Sequence, residues 1–447
     1  MTTAYGRVPP GPDKKYDGTQ ELLDWMGDQF TRFGDIYKAS IYGTNIYVIR
    51  DPVFAERVLR DNWRNYIKGQ AIKRVAMLLG NGLMVSEGDL WKTQRRLIQP
   101  AFHRDAITSL LETVASANVR LLETWTRAAD RNENVNVTVD ISHLVLKTTL
   151  VAIFGDDYGD VEEHFHVLSE DAVRSLEFAS KFRTLGQLVL KVANRRREQN
   201  VTSADFLGML MAARDRDTGE GMPDRQLVNE TMTLIVAGHE TTASTLNWVW
   251  YLLSQHPEAE AKLSCELENP GSTALSEFGE LSKFTYVRQI IDETLRLYPA
   301  GWLMTRRALA DDQLGEYFVP AGTEIFISPY YIQRNPSLWE EPDRFNPDRF
   351  AQGYSADRHP LATLPFSAGP RNCIGEFFAR LEMQVHLITL AKGLRLHYQN
   401  AKPPELDIGV NLRSRHNFIM TPQIKAGYQP GLTENQQSRI KHQSDVR

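Results

Sequence analysis

The sequence predicts a mainly helical fold with small β-sheets, an α+β architecture organised as one large domain over residues 1–447. Three observations predict it. Helical patterns follow one another with short breaks from about Trp91 to Leu297, and β-rich runs are confined to the flanking parts of the chain. No Pro/Gly/Ser-rich linker, internal repeat or long charge run divides the middle, although 447 residues would by length alone suggest two or three domains.

In chain order, residues 1–20 read as an N-terminal extension. Ile36 to Tyr42 and Asn45 to Ile49 are β-rich runs meeting at Gly43-Thr44, the pattern of a hairpin. Asp51-Pro52 starts a helix, with a capping carboxylate followed by a proline whose missing N–H costs nothing there. The longest helix is expected over Asp224 to Gln255, stopped by Pro257. After Pro299 come short strands such as Glu324 to Ile327, then proline-punctuated irregular backbone through Phe350. The stretch 429–447 is polar, lacks periodicity and is expected to be disordered.

Hydrophobic residues make up 42% of the chain, enough for a large core, and 51 basic against 56 acidic residues leave a net charge of only −5, which gives no footprint for nucleic acid. The only cysteines are Cys265 and Cys373, which excludes a disulfide scaffold and suits a reducing compartment. No signal peptide is evident and no window approaches the ~20 apolar residues of a membrane span, so a cytoplasmic protein is expected.

The chemistry concentrates near the C-terminus, in Phe366-Ser367-Ala368-Gly369-Pro370-Arg371-Asn372-Cys373-Ile374-Gly375. A cysteine at a helix mouth beside Arg371 meets unpaired N–H groups and the positive end of the helix dipole, all of which favour the iron-binding thiolate. Gly369 and Gly375 permit left-handed or closely approaching backbone, so that amides can aim at the sulfur and a flat macrocycle can lie against the chain; Phe366 would shield the sulfur. A lone cysteine would more readily be buried and inert. This pattern is too specific for that, and it resembles the haem-binding loop of cytochromes P450, Phe-x-x-Gly-x-Arg-x-Cys-x-Gly, at every defined position. The resemblance implies haem b, ligated by Cys373 and buried between the long helix and the helix that follows the cysteine.

Further motifs extend the resemblance from about Ile36 to Thr421. Ala237-Gly238-His239-Glu240-Thr241-Thr242 sets a glycine in mid-helix, where it costs ~1 kcal/mol relative to alanine. Read from the residues, Gly238 serves either the approach of a flat group or a helix–helix crossing, and a threonine hydroxyl can bond the carbonyl one turn back. By resemblance Gly238 lies against the haem, Glu240 and Thr241 are the proton-delivering acid–alcohol pair, and His239 is structural. Glu293 and Arg296 sit three apart on one helix face, alone no more than a surface pair. By resemblance they form a buried network with Arg349 that supports the thiolate loop. Haem propionates need cationic partners, and the resemblance assigns them to Trp91 and Arg95, to Arg306 and to Arg371, with Arg96 and Arg307 as adjacent alternatives. Gln333 stands where many relatives carry histidine, and Pro9-Pro10-Gly11-Pro12 resembles the hinge of membrane-bound members.

By family position the substrate pocket would be lined by the loop before Trp91 (about Ala71 to Met84), by Leu234 and Ala237 with Thr241, by Ala300-Gly301-Trp302-Leu303-Met304, and by Ile408, Gly409 and Val410. Trp302 and Met304 would form its floor. These features imply a monooxygenase placing one atom of O2 into a lipophilic small molecule. Electrons would come from a ferredoxin or flavodoxin with its NAD(P)H-dependent reductase, docked on a basic patch of Lys92, Arg96, Arg371 and Arg380, and a monomer is expected. A peroxygenase or an oxidative coupling enzyme is the alternative; peroxygenases usually lose the acid–alcohol pair, whereas coupling enzymes share the motifs.

Overall fold

The computed structural model describes residues 2–3, 6–41, 43–165, 176–268, 278–351 and 358–428, so the stretch 429–447 lies outside the described residues. Five strands form the principal sheet: β1 (Ile36–Ile41), β2 (Thr44–Ile49), β3 (Tyr66–Lys68), β4 (Met304–Ala308) and β5 (Glu324–Ile327). Their order is β1-β2-β5-β4-β3. β1 and β2 make the expected hairpin, with Ile36 opposite Ile49 and Gly43 supplying the positive φ that the turn requires. β5 joins β2 in parallel, Glu324 opposite Ile46, which brings the early hairpin beside a strand from the later part of the chain.

Asp51 caps its helix by accepting from the amides of Val53 (2.7 Å) and Phe54 (3.1 Å), and the helix widens into a π-turn over Arg57–Asp61. The helices that position the site are α1 (Gly88–Ile98), α2 (Leu111–Asp130), α3 (Val137–Phe154), α4 (Asp224–Gln255), α5 (Thr285–Leu297) and α6 (Glu376–Gly393). A short hairpin, β6 (Leu406–Ile408) and β7 (Leu412–Ser414), returns to the middle of α4.

α3, α4 and α6 bury residues on most of their faces and form the main core with α2. Where polar side chains enter that core they are paired. Trp250 on α4 donates Nε1–H to His386 Nε2 on α6 (2.8 Å), whose other nitrogen meets Asn118 Oδ1 on α2 (2.7 Å), and burial holds the His386 pKa down to about 3. The Trp248 ring stacks on Tyr298 at 3.9 Å and fixes α4 against the end of α5.

Two expectations are corrected. Residues 137–165 are long and apolar enough to cross a membrane by length and composition, although 61% of the most apolar window is buried inside the protein. The first 20 residues are more than an extension, because Gly6–Arg7 pairs with the strand Tyr317–Val319 in a four-stranded sheet.

Candidate functional site

The cysteine loop is held from several sides. Cys373 donates its amide to Phe366 O (2.8 Å), closing the loop on itself, and Arg95 on α1 donates to both Asn372 O (2.9 Å) and Asn372 Oδ1 (3.1 Å). Gly369 has φ +71°, and a Cβ there would stand 2.0 Å from Leu59 O of the π-turn. Gly375 differs from expectation: its φ is −89°, and an added Cβ would be 3.9 Å from Phe102 and 4.0 Å from Cys373 Sγ, in ordinary contact. We therefore expect Gly369→Ala to lose at least about 2 kcal/mol of stability and Gly375→Ala to stay within ~0.5 kcal/mol, both read from urea unfolding of the haem-free chain. Equal midpoints for the two variants would refute this account of the loop.

Cys373 is surrounded by most of the protein, yet part of the residue remains accessible. Burial pushes the thiol above its ordinary range, outweighing the amides of Gly375 and Glu376 and the charge of Arg95, which act in the opposite direction. The helix mouth thus favours the thiolate, as expected, without securing it. The local groups act as anticipated, and a bound metal cation is what completes the deprotonation.

Next to the loop lies a cationic cradle. In the β3–β4 ladder Lys68 stands directly opposite Arg306, so the two side chains share one face of the sheet while Arg307 takes the other. Burial, reinforced by Arg371, pulls the Arg306 pKa down to about 10, and burial lowers Lys68 to about 7 against the raising effect of Glu87. Arg306 donates to Thr305 O (2.9 Å), and among the described residues no carboxylate lies within ion-pair distance of it. Arg371 pairs with Glu87 (2.5 Å), lies over the Trp91 ring at 5.0 Å and keeps a buried Nε without a partner. A guanidinium with no carboxylate at ion-pair distance, repelled by Arg371 of the cysteine loop and offset only by the field of Glu87, fits an anionic group with Arg306 as propionate partner. Lys68 and Glu87 belong to no contiguous motif; strand register reveals the first, and the second enters from the cap of α1 by bonding Lys68 N and Arg371.

On α4, Thr241 Oγ1 donates to Ala237 O at 2.8 Å, the predicted bond to the preceding turn. Glu240 lies 3.8 Å from Arg413 of β7, whose Nε donates to Asp407 on β6 (2.9 Å). His239 is buried against α3, where its Nε2 meets Ser142 Oγ (2.9 Å), and burial drops its pKa to about 4; it is a neutral packing residue. A Cβ on Gly238 would stand 3.3 Å from Thr149 Cγ2 on α3. Its missing side chain therefore admits a neighbouring helix, the helix-crossing role that the sequence also offered.

Glu293 and Arg296 are fully buried and joined by two bonds of 2.6 and 2.8 Å; Arg349 approaches Glu293 to 3.4 Å, and Arg296 also donates to Gln333 O and Pro342 O. Gln333 donates to Leu295 O and Arg296 O at the end of α5 and accepts from Leu364 N (2.6 Å), linking this network to the strand of chain that enters the cysteine loop.

Two of the segments expected around the pocket, 300–304 and the hairpin that carries 408–410, meet. Leu412 N donates to Ala300 O (2.9 Å), Trp302 Nε1 to Gly409 O (3.2 Å) and Ser244 Oγ on α4 to Leu412 O (2.7 Å). Leu234 and Ala300 are buried, Ala237, Leu303 and Met304 are half-buried, and open space lies where Gly301 would carry a Cβ. Val410, at the hairpin tip, is 72% exposed. Trp302 departs from expectation: it is buried with Leu23, Phe30 and Val48 in the core under the sheet and is no pocket floor. The expected basic patch is also corrected, because Lys92 pairs with Asp89, Arg96 with Asp215 and Asp217, Arg371 with Glu87, and Arg380 with Asp292 and Glu376. Arg380 lies 5.0 Å over the Phe366 ring and so braces the cysteine loop.

Fold and site together define a haem-thiolate protein. The family model for cytochrome P450 matches residues 13–185 and 175–420, and the chain belongs to the cytochrome P450 family. Cyclooctat-9-en-7-ol 5-monooxygenase of Streptomyces melanosporofaciens is 31% identical over 384 residues, covering 81% of this chain and 83% of that protein. Carotene epsilon-monooxygenase, chloroplastic, of Arabidopsis thaliana is 28% identical over 444 residues, 89% of this chain and 80% of that one. The crystal structure of cytochrome P450DA heme domain superposes with a TM-score of 0.80 over 94% of this chain and 98% of its own, at 23% identity, a likeness of fold. The family binds haem b through a cysteine thiolate, and Cys373 is the residue of this chain placed to supply it.

Proposed function

We propose that this chain hydroxylates or epoxidises a lipophilic, largely hydrocarbon substrate. The electrons come from a separate ferredoxin or flavodoxin and its NAD(P)H-dependent reductase, and the working form is a monomer. The observation that carries the reading is the acid–alcohol pair: Thr241 anchored to Ala237 O at 2.8 Å with Glu240 beside it, on the helix to which the β6–β7 hairpin is fastened. The names of the relatives, carotene epsilon-monooxygenase and cyclooctat-9-en-7-ol 5-monooxygenase, support a hydrophobic substrate and direct the first probes.

The bound haem supplies the activation of O2 and the oxidising power, with the thiolate ligand favouring O–O cleavage. Cys373 holds the iron through its sulfur, while Arg306 and Arg371 orient the carboxylate edge. The Thr241 hydroxyl donates to a backbone carbonyl and so leaves its oxygen free to accept from water, and the Glu240 carboxylate, a third exposed, reaches solvent to replace protons used at the site. The apolar walls at Leu234, Ala300 and Leu303 position a substrate by shape and exclude bulk water.

The test is turnover of the holoenzyme with a surrogate ferredoxin and reductase, NADPH, isotopically labelled dioxygen and carotene or a cyclic terpene alcohol as probe. One labelled oxygen atom per product molecule is expected. An unlabelled, coupled or cyclised product would replace this reading by oxidative coupling, and labelled product formed with peroxide alone at the same rate would replace it by a peroxygenase.

A further inference from the structure

We infer that Arg413 is a positioning residue for the proton-delivering carboxylate, and that the β6–β7 hairpin is the arm that carries it to α4. The inference rests on the monooxygenase reading of Glu240 and deepens it. Arg413 Nη1 lies 3.8 Å from Glu240 Oε1, while its Nε donates to Asp407 Oδ2 at 2.9 Å. Asp407 and Arg413 are direct cross-strand partners in the hairpin, so their side chains share a face. One guanidinium therefore divides its field between two carboxylates, the nearer on its own hairpin and the farther on the helix.

The placement is built. One turn along α4 from Glu240, the buried Ser244 donates Oγ–H to Leu412 O at 2.7 Å, so positions 240 and 244 of the helix grip residues 413 and 412 of the strand. On its other side the hairpin is bolted to the segment after α5, by Leu412 N to Ala300 O (2.9 Å) and Trp302 Nε1 to Gly409 O (3.2 Å). A displacement of the hairpin tip at Gly409 or Val410 would be transmitted to Arg413 three or four residues away. The charged groups that face Glu240 are Arg413 on β7 and, behind it, Asp407 on β6; on its own helix the neighbouring His239 is neutral and turned to Ser142. The ion pair is about a third exposed on each side, so water screens its field in part.

The arrangement makes a signed prediction. A cation beside a carboxylate favours the ionised form. Arg413→Gln, which removes that cation, is expected to displace the pH profile of reoxidation upward, Asp407→Asn, which frees Arg413 from its nearer partner, is expected to displace it downward, and Arg413→Lys is expected to lie near wild type. The readout needs no substrate: the holoprotein is reduced, mixed with oxygenated buffer, and its rate of return to the ferric spectrum is followed against pH. Opposite displacements of the half-maximal pH in the two variants, with an unchanged thiolate-type spectrum and urea midpoint, support the inference. A merely structural role would move the urea midpoint and leave the two pH profiles coincident. Glu240→Gln separates the two levels of argument: if it abolishes the pH dependence while Arg413→Gln and Asp407→Asn leave the profile unmoved, the positioning role is overturned and the reading of Glu240 stands. If Glu240→Gln changes nothing, both fall. Should Arg413→Gln fail to fold, the downward displacement in Asp407→Asn remains the deciding observation.

Discussion

Glu293→Gln is expected to lower the stability of the protein by about 3–5 kcal/mol, a large part of the ~5–15 kcal/mol that holds a typical domain folded. The substitution keeps the size of the side chain and removes only its charge. What it leaves behind is Arg296, fully buried and bonded through Nε and Nη2 to that carboxylate, and Arg349, 3.4 Å away and 5% exposed. Their hydrogen bonds to the carbonyls of Gln333, Pro342, Glu340 and Glu341 survive, but two cations then share a dry interior with no counter-charge. A matched control sits in the same stretch of chain. Glu341 and Arg344 are also three residues apart and 2.9 Å distant, with side chains 61% and 63% exposed, so Glu341→Gln should cost less than ~0.5 kcal/mol. Urea unfolding followed by far-ultraviolet circular dichroism distinguishes the two. Similar midpoints for both variants would show that the buried network contributes nothing beyond a surface pair.

That contrast also marks what the sequence can disclose. Glu293/Arg296 and Glu341/Arg344 look alike as strings, because a three-residue spacing states which side chains meet and says nothing about the water around them. Motifs made of contiguous residues were legible: the cysteine loop, the Glu240-Thr241 pair, and the helix Asp224–Gln255, whose start and stop the structure places where Asp224 and Pro257 suggest. Features created by register between distant strands were not. Lys68 meets Arg306 across more than two hundred residues of chain, and Arg413 reaches Glu240 only because a hairpin folds back on α4. Gly238 shows a third limit. A glycine announces that something comes close, but not from which side, and here it is Thr149 of a neighbouring helix. The basic patch failed for the same reason as the surface-pair reading of Glu293: Asp215, Asp292 and Glu87 are remote in sequence and adjacent in space to the cations they neutralise.

Cys373→Ser is expected to abolish thiolate–haem absorption while leaving the chain folded. The serine hydroxyl would stand at the same helix mouth, before the amides of Gly375 and Glu376 and near Arg95, but those groups do not suffice to ionise even the more acidic thiol, whose pKa burial holds above its ordinary range. A side chain that remains neutral offers iron no anionic ligand. In the native chain the same balance means that the haem-free site carries S–H near neutral pH and that haem loading expels one proton. The sign follows: the protonated thiol competes with iron, so loading strengthens as pH rises, by about tenfold per unit while the thiol remains mostly protonated. The loss on substitution should be confined to Cys373. Cys265 is exposed on the helix Pro257–Leu267, and Cys265→Ser should retain the full absorption and the same haem affinity. The measurements are the carbon monoxide difference spectrum of the reduced protein and haem titrations between about pH 6 and 8, where the proton release should appear directly as the slope of affinity against pH. Retention of the thiolate band in Cys373→Ser would remove Cys373 from the site; an affinity independent of pH would instead mean that the helix mouth and Arg95 already hold a thiolate, and that the burial of this sulfur counts for less than its surroundings indicate.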